Sequence, residues 1–301
     1  MQGRQRVQQG MALIMVLWVI ALLTVMALGL TMSQRTAGAL ARNQLDDARF
    51  RALADAAISL AAFNLLSTPI ELNPVVGVWI PDGTPRELLV GDSVLTLTLS
   101  NEASRLDLNA ISSDQLRSLI ELTQDDRAAE PLQVDALADA IMDWRDGDSL
   151  TLPNGAEDAD YDAAALPHGA GDAPFNGIEE LRQVLGMTNE TYRRLAADLT
   201  VDNAAGGGTD LEFASATVLA VVRGIPLEDA RREIDQRRSP ASPDGRLAAP
   251  VGRGGPVYRL AVSWAEDRAV VRHMEAVFEI TPGSTPPFSI FWRRYGLTTV
   301  Q

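Results

Sequence analysis

The chain has 301 residues, no cysteine, and 40 acidic against 26 basic side chains, a formal net charge of −14. That length allows one sizeable domain or two small ones beyond any membrane segment. No disulfide can brace the fold, a surface of this sign repels nucleic acid and anionic lipid headgroups, and without cysteine or paired histidines a zinc site is not supported.

The first predicted element is apolar. A polar leader of ten residues ends at Gly10, and Met11 to Leu30 follows with no charged side chain, a run long enough to span a bilayer core as a helix. A cleavable secretory signal has a shorter apolar run with its cut after it. Here the best cut, Gly10–Met11, lies before the run, so cleavage would leave the segment on the mature chain. An uncleaved single-pass anchor is the other reading. Arginines at 4 and 6 on one side and at 35, 42 and 49 on the other leave orientation open.

The helix is expected to continue through "MSQRTAGALARNQLDDARFRALADAAISLAAFNLLS" to Ser67. That stretch has no proline, and Leu40, Leu45, Phe50, Leu53, Ala57, Leu60 and Phe63 recur at helical spacing. Gly38 is a potential weak point, and Pro69 and Pro74 end the helix, which would be about 80 Å long. Next, "PVVGVWIPDG" and "ELLVGDSVLTLTLSNEASRLDLN" read as short strands with Pro-Asp-Gly and Gly-Asp turns. Strands return only near the end. "PVYRLAVSWAEDRAVVRHMEAVFEI" reads as a hairpin around Ala265-Glu266-Asp267, and "FSIFWRRYG" as a last strand. The roughly 140 residues between are helical and loop-like, so a helical domain is inserted into a small sheet.

That block holds a repeat. "LRQVLGMTNETYRR" and "LAVVRGIPLEDARR" share L-x-x-V-x-G-x-x-x-E-x-x-R-R and each reads as helix, glycine turn, helix. "LDLNAISSDQLRSLI" and "LEFASATVLAVVRGI" look like the openings of two such units. Helix-hairpin-helix units that bind DNA usually present glycines on both sides of an apolar residue. "GMTNE" and "GIPLE" carry one glycine each and an acid soon after, which, with the net charge, argues against nucleic acid. No G-x-S-x-G elbow is present, and "AAGGGTD" lacks the G-K-[ST] of a phosphate loop. His168 reads as an exposed loop residue and His273 as an ordinary strand side chain. Nothing points to an enzyme.

The stretch "DWRDGDSLTLPNGAEDADYDAAALPHGAGDAPFNGIEEL" is the most acidic. Asp146, Asp148, Glu157, Asp158, Asp160, Asp162 and Asp172 repel one another unless a cation intervenes, and calcium takes oxygen ligands at flexible angles. Asp146-Gly147-Asp148 sets two carboxylates around a glycine that permits a sharp turn, and Asn154-Gly155-Ala156-Glu157-Asp158 brings two more. The D-x-D-x-D-G run of an EF-hand and its spaced glutamate are missing. From the residues alone, a solvated acidic loop and a calcium site are both open. Asn176 with Glu179 looks like a capping box at the loop's exit.

The leader followed by "MALIMVLWVIALLTVMA" resembles that of a type IV prepilin. Most pilins and pseudopilins have glutamate at the fifth mature position, and here that position is Met15. The omission, the helical repeats and the acidic loop together resemble the minor pseudopilin K family of type II secretion systems. This family carries D-W-x-D-x-D, then N-G-A-E-D-x-x-Y, then an E-E-L helix. The resemblance implies an α+β protein: a pilin-like long N-terminal helix packed on a small antiparallel sheet, with a large inserted helical domain of helix-hairpin-helix, or SAM-like, type. It divides the chain into a leader (1–10), the helix (11–67, transmembrane over 11–30), two β parts (68–104 and 246–301) and the inserted helical domain (105–245). It implies cleavage by prepilin peptidase, a single-pass inner-membrane protein with its C-terminal domain in the periplasm, and no enzymatic activity. Other minor pseudopilins and the major pseudopilin would be partners, at the pseudopilus tip, because an unpaired carboxylate in lipid is expensive and Met15 needs no partner. It also implies structural calcium, with Asp146, Asp148, Glu157 and Asp158 matching best and Asp143, Asp160 and Asp162 as weaker ligands. A minor pilin of a type IV pilus is the alternative function, ahead of a nucleic-acid-binding membrane protein.

Overall fold

A computed structural model describes residues 8–67, 79–124, 131–203, 208–238, 252–267 and 270–299. The leader up to residue 7, half of "PVVGVWIPDG" and part of "AAGGGTD" lie outside the described residues. The chain divides into two compact units, Met1–Asp55 and Ala56–Gln301, with the boundary inside the first helix.

That helix, α1, runs Gln8–Ser67 without a break at Gly38. In the first unit it is exposed from Leu13 to Met32 and long and apolar enough to cross a membrane. Leu40 and Leu45 are exposed as well, whereas Phe50 and Leu53 are buried. In the second unit Ala57, Ile58, Ala61 and Ala62 are buried. The expected stripe through Leu60 and Phe63 is shifted by one position: both are exposed, Phe63 by 67%. Alanines on the inner face let a helix approach its neighbour closely, while the larger residues of the predicted stripe stay outside.

The rest of the second unit is a five-stranded antiparallel sheet and a helical block. The strands are β1 (Asp82–Val90), β2 (Ser93–Asn101), β5 (Val257–Asp267), β6 (Val270–Ile280) and β7 (Phe288–Thr299), in the order β1-β2-β5-β6-β7. Period-2 alternation places Leu95, Leu97, Leu99, Leu260, Val262, Met274 and Ala276 in the core. Pro-Asp-Gly does not turn the chain but opens β1 with a register shift between Asp82 and Pro85. Gly91-Asp92 does turn it, with Gly91 left-handed at φ +58. β5 runs through Ala265-Glu266-Asp267, the expected turn, with a register shift between Ala265 and Asp267.

Between β2 and β5 come β3 (Leu106–Asp107), α2 (Ser113–Thr123), α3 (Pro131–Arg145), α4 (Asp158–Ala163), a 3₁₀ turn (Ile178–Gln183), α5 (Asn189–Leu195), β4 (Leu199–Thr200), α6 (Ala216–Arg223) and α7 (Leu227–Arg238). Their caps are legible in sequence. Ser112 and Gln115 form a reciprocal capping box on α2, and Thr188 and Ser215 accept from the third residue beyond them. Gly186 (φ +83) and Gly224 (φ +63) supply the left-handed residues at the repeat turns. The first helix of the "LRQVLG" unit is a 3₁₀ turn rather than an α-helix. One core, from Leu106 and Leu116 through Ile141, Trp144 and Tyr161 to Leu195 and Val218, holds the block together.

A buried ionic network joins block to sheet. Glu102, just after β2, is fully buried and receives Arg259 Nε (2.8 Å) and Nη2 (2.5 Å) and the Thr200 hydroxyl (2.6 Å). Arg259 also donates to Glu275 at 2.7 Å. Asn101 holds the two chain crossings side by side: its Oδ1 accepts from Gly255 N–H (3.1 Å) and its Nδ2 donates to Ser104 and Asp210.

Candidate metal centre in the acidic loop

The loop between α3 and the 3₁₀ turn is anchored before any ion is considered. Arg145, the last residue of α3, donates to the carbonyls of Leu108 and Ile111. The Asn109 side-chain amide clamps Phe175: its Oδ1 accepts from Phe175 N–H at 2.8 Å and its Nδ2 donates to the Phe175 carbonyl at 3.0 Å. Trp144, Tyr161 and Phe175 are buried against one another, with Trp144 centroids 5.8 Å from Tyr161 and 6.2 Å from Phe175. The Tyr161 hydroxyl accepts from Leu185 N–H at 3.1 Å. His168 is not the exposed residue expected: it is half-buried against Trp144 and Tyr161 and donates to the Gln183 carbonyl.

Four of the six candidate ligands are turned to local backbone donors. Asp143, fully buried, accepts from Leu152 N–H; Asp148 accepts from Leu150 N–H, Asp158 from Ala170 N–H, and Asp160 from Glu157 N–H. Among the described residues, no group of three or more His, Cys, Asp or Glu side chains is gathered in ligand geometry. The other two candidates differ. Asp146 Oδ1 and Glu157 Oε1 are buried without a hydrogen-bond partner, the only carboxylate oxygens so placed among the described residues, and Trp144 Nε1 is likewise unsatisfied. Buried polar atoms without partners are rare and call for an explanation.

The electrostatics agree. Burial first, and then the charges of Asp143, Asp172, Asp146 and Asp158, push the Glu157 carboxyl up to about 7. Burial also raises Asp143, with Asp146 and Asp139 adding to it and the Leu152 and Ala156 amides opposing. Asp172 has a left-handed backbone, φ +46, uncommon outside glycine but tolerated by aspartate. Two hard oxygen donors, Asp146 Oδ1 and Glu157 Oε1, are thus buried and unsatisfied, and the field at Glu157 disfavours its charge.

The glycines that matter are not all the expected ones. A β-carbon at Gly147 would rest 3.8 Å from the Asp172 carbonyl oxygen, an ordinary contact. One at Gly155 would overlap the Asp143 carboxylate, and one at Gly169 that of Asp158. Gly155→Ala is therefore expected to lower the stability of the full chain in detergent by about 1–3 kcal/mol, and Gly147→Ala by much less. Urea unfolding followed by near-UV circular dichroism separates them, and equal effects would contradict this geometry. Asn176 and Glu179 do not form the expected box. Asn176 N–H donates to Glu180 Oε1 (3.1 Å), Gly177 is the N-cap, and Glu179 reaches across to Arg294 on β7.

A long apolar helix, an antiparallel sheet and an inserted helical block with an acidic loop define an α+β protein of pilin-like architecture. Residues 100–202, which include the whole acidic loop, match the family described as Type II secretion system (T2SS), protein K. The chain is 31% identical over 206 residues to Type II secretion system protein K of Klebsiella pneumoniae, covering 62% of this chain and 61% of that protein. It is 35% identical over 113 residues to the protein of the same name from Dickeya chrysanthemi, covering 36% of this chain and 31% of that one. The chain thus spans less than two thirds of the length of these relatives. Its fold matches a chain of the GspK-GspI-GspJ complex from the enterotoxigenic Escherichia coli Type 2 Secretion System, with a TM-score of 0.61, 20% identity, and coverage of 85% of this chain and 98% of that one. Over residues 100–202 the chain is thus similar to the type II secretion system protein K family, and its fold is similar to that of the solved complex's chain.

Proposed function

We propose that this chain is a minor pseudopilin of type II secretion, a structural subunit rather than an enzyme, held in the inner membrane by α1 with its C-terminal part in the periplasm. The observation that carries the reading is the family match over residues 100–202 in a chain that also has the pilin-like fold and the N-terminal apolar helix. The solved complex contains three named components, GspK, GspI and GspJ. By analogy, the partners of this chain are other minor pseudopilins and, below them, the major pseudopilin. Met15, at the position where most pilins and pseudopilins carry glutamate, supports a place at the pseudopilus tip, where the subunit initiates and caps assembly. Deletion in the native host should abolish or sharply reduce export of folded proteins from the periplasm, with rescue by the wild-type gene. Unimpaired export would overturn the proposal.

Prepilin peptidase would cut after Gly10. The mature chain is therefore expected to begin at Met11 by mass spectrometry, and Gly10→Val to block the cut. A main N-terminus at Met1 or Gln2 in a host with the peptidase would contradict this. Met15→Glu is expected to disturb placement in the filament and leave the second unit's fold unchanged.

The acidic loop would hold calcium through Asp146 and Glu157, whose buried oxygens lack partners, with Asp143, Asp148, Asp158 and Asp160 as further oxygen donors. When bound, the ion offsets the mutual repulsion of these carboxylates. The residues themselves tie the end of α3 to the 3₁₀ turn.

A further inference from the structure

The exit of the acidic loop is held from the sheet as well as from the helical block. Trp292 on β7 donates its indole N–H to Asp202 Oδ2 at 2.7 Å. Two guanidinium groups lie over its ring, Arg294 at 4.2 Å and Arg259 at 5.2 Å from the centroid, cation–π contacts that gain strength as they lose water. Arg294 in turn grips both carboxylate oxygens of Glu179, Nη2 to Oε2 at 2.9 Å, a planar fork that lysine cannot reproduce. Arg259 leads on to the buried Glu102 and Thr200. A cavity of about 30 Å³ at this junction is walled by Asn176, Gly177 and Ile178 from the loop exit and by Arg259, Trp292 and Arg294 from the sheet. The loop exit, β7 and the buried network are thus one connected assembly, and nothing in the sequence spacing announces it.

We infer that Trp292 and Arg294 are positioning residues for the acidic loop, so that its affinity for a cation is set in part from the sheet's edge strand. The inference rests on the reading of the loop as a cation site. Asp172 lies only four residues before Asn176, and Phe175 between them is already clamped by Asn109. Fixing residues 176–180 on β7 removes conformational freedom that binding would otherwise have to remove, which is preorganisation. The Glu179–Arg294 pair is partly exposed, 42% and 45%, and adds little to global stability. Its effect falls on the loop.

The test uses the full chain in detergent micelles. Calcium affinity is measured by calorimetry and backbone exchange by hydrogen–deuterium mass spectrometry, for wild type, Arg294→Gln, Glu179→Gln, their double variant and Trp292→Phe. Supporting residues around metal ligands typically alter affinity 10–100-fold, and these, one step further out, are expected to weaken calcium about three- to tenfold. Exchange over 176–183 and 288–299 should rise together in Arg294→Gln, with the thermal midpoint of the calcium-free protein unchanged. The double variant should be no worse than either single one. Unchanged affinity in all variants of a chain that does bind calcium overturns this inference alone. Absence of calcium binding in wild type overturns the reading on which it rests.

Discussion

Glu102→Ala should lower the unfolding free energy by about 3–5 kcal/mol, the range for removing one partner of a buried ion pair. Glu102 is fully buried, and Arg259 is 8% exposed. Deleting the carboxylate leaves that guanidinium buried with the Glu275 carboxylate, at 2.7 Å, as its remaining ion-pair partner among the described residues, and leaves the Thr200 hydroxyl without its acceptor. Burial alone would raise the Glu102 carboxyl. The hydrogen bonds and charge of Arg259, the charge of Arg105 and the Thr200 hydroxyl outweigh it and hold the group below the usual carboxylate range. A carboxyl held low in the folded state stabilises above its unfolded pKa, so this contribution is present at neutral pH and is lost in acid as pH falls through the folded value. The double substitution Glu102→Met with Arg259→Met should recover much of the loss, because an apolar pair of similar volume needs no compensation. Urea unfolding of the full chain in micelles, read by near-UV circular dichroism, measures both. A single-variant loss below about 1 kcal/mol, the range of an ordinary hydrogen bond, would mean the network does not join block to sheet.

Most of the fold was legible because its determinants are local. Apolar length announced α1, period-2 runs announced β2, β5 and β6, and glycine followed by a capped helix announced the repeat turns at Gly186 and Gly224. The acidic loop was legible as a composition, and its Trp144 and Tyr161 as parts of a motif. Which carboxylates are short of partners was not. Asp148 looked as good a ligand as Asp146, yet it is exposed and satisfied by Leu150 N–H, whereas Asp146 and Glu157 keep buried, unsatisfied oxygens. That difference depends on how Trp144 and Phe175 fold the loop back, a matter of tertiary packing. The buried Glu102–Arg259 pair, separated by 157 residues, carried no sequence signal either. A lone arginine in a strand reads as solvated until the opposite wall is known. The misread pair Asn176–Glu179 has the same cause: its spacing suits a cap, but Arg294 competes for the carboxylate from 115 residues away.

In the calcium-free chain, the second unit should melt lower as pH rises from 5 to 8, and calcium should reverse that fall. The Glu157 carboxyl is raised to about 7 by burial and by the carboxylates of Asp143, Asp172, Asp146 and Asp158, against an ordinary value of 4.5 in the unfolded chain. An acid raised on folding binds its proton more tightly in the folded state. Folding is therefore favoured while Glu157 is neutral, and stability is lost progressively as pH climbs from the unfolded value through about 7. The loss is smaller than the full gap implies, because the loop can relax or admit water that screens the charge. Glu157→Gln should flatten the pH dependence, since the amide is neutral throughout. A cation bound to the folded form alone adds about 2.7 kcal/mol at a hundredfold excess over its Kd, enough to offset most of that loss at pH 8. Because the ion takes the place of the proton, calcium affinity should weaken as pH falls below about 7, and binding should release protons there. Magnesium should substitute poorly, as it demands tight octahedral geometry. Terbium in place of calcium gives the location. Emission excited through tryptophan should appear in the wild type and be lost in Trp144→Phe, because Trp144 packs on Tyr161 and Phe175 within the loop. Thermal melts with chelator or calcium at pH 5.5 and 8 decide the matter. A chelator-insensitive midpoint, with no terbium emission that depends on Trp144, would show that Asp146 and Glu157 serve no cation.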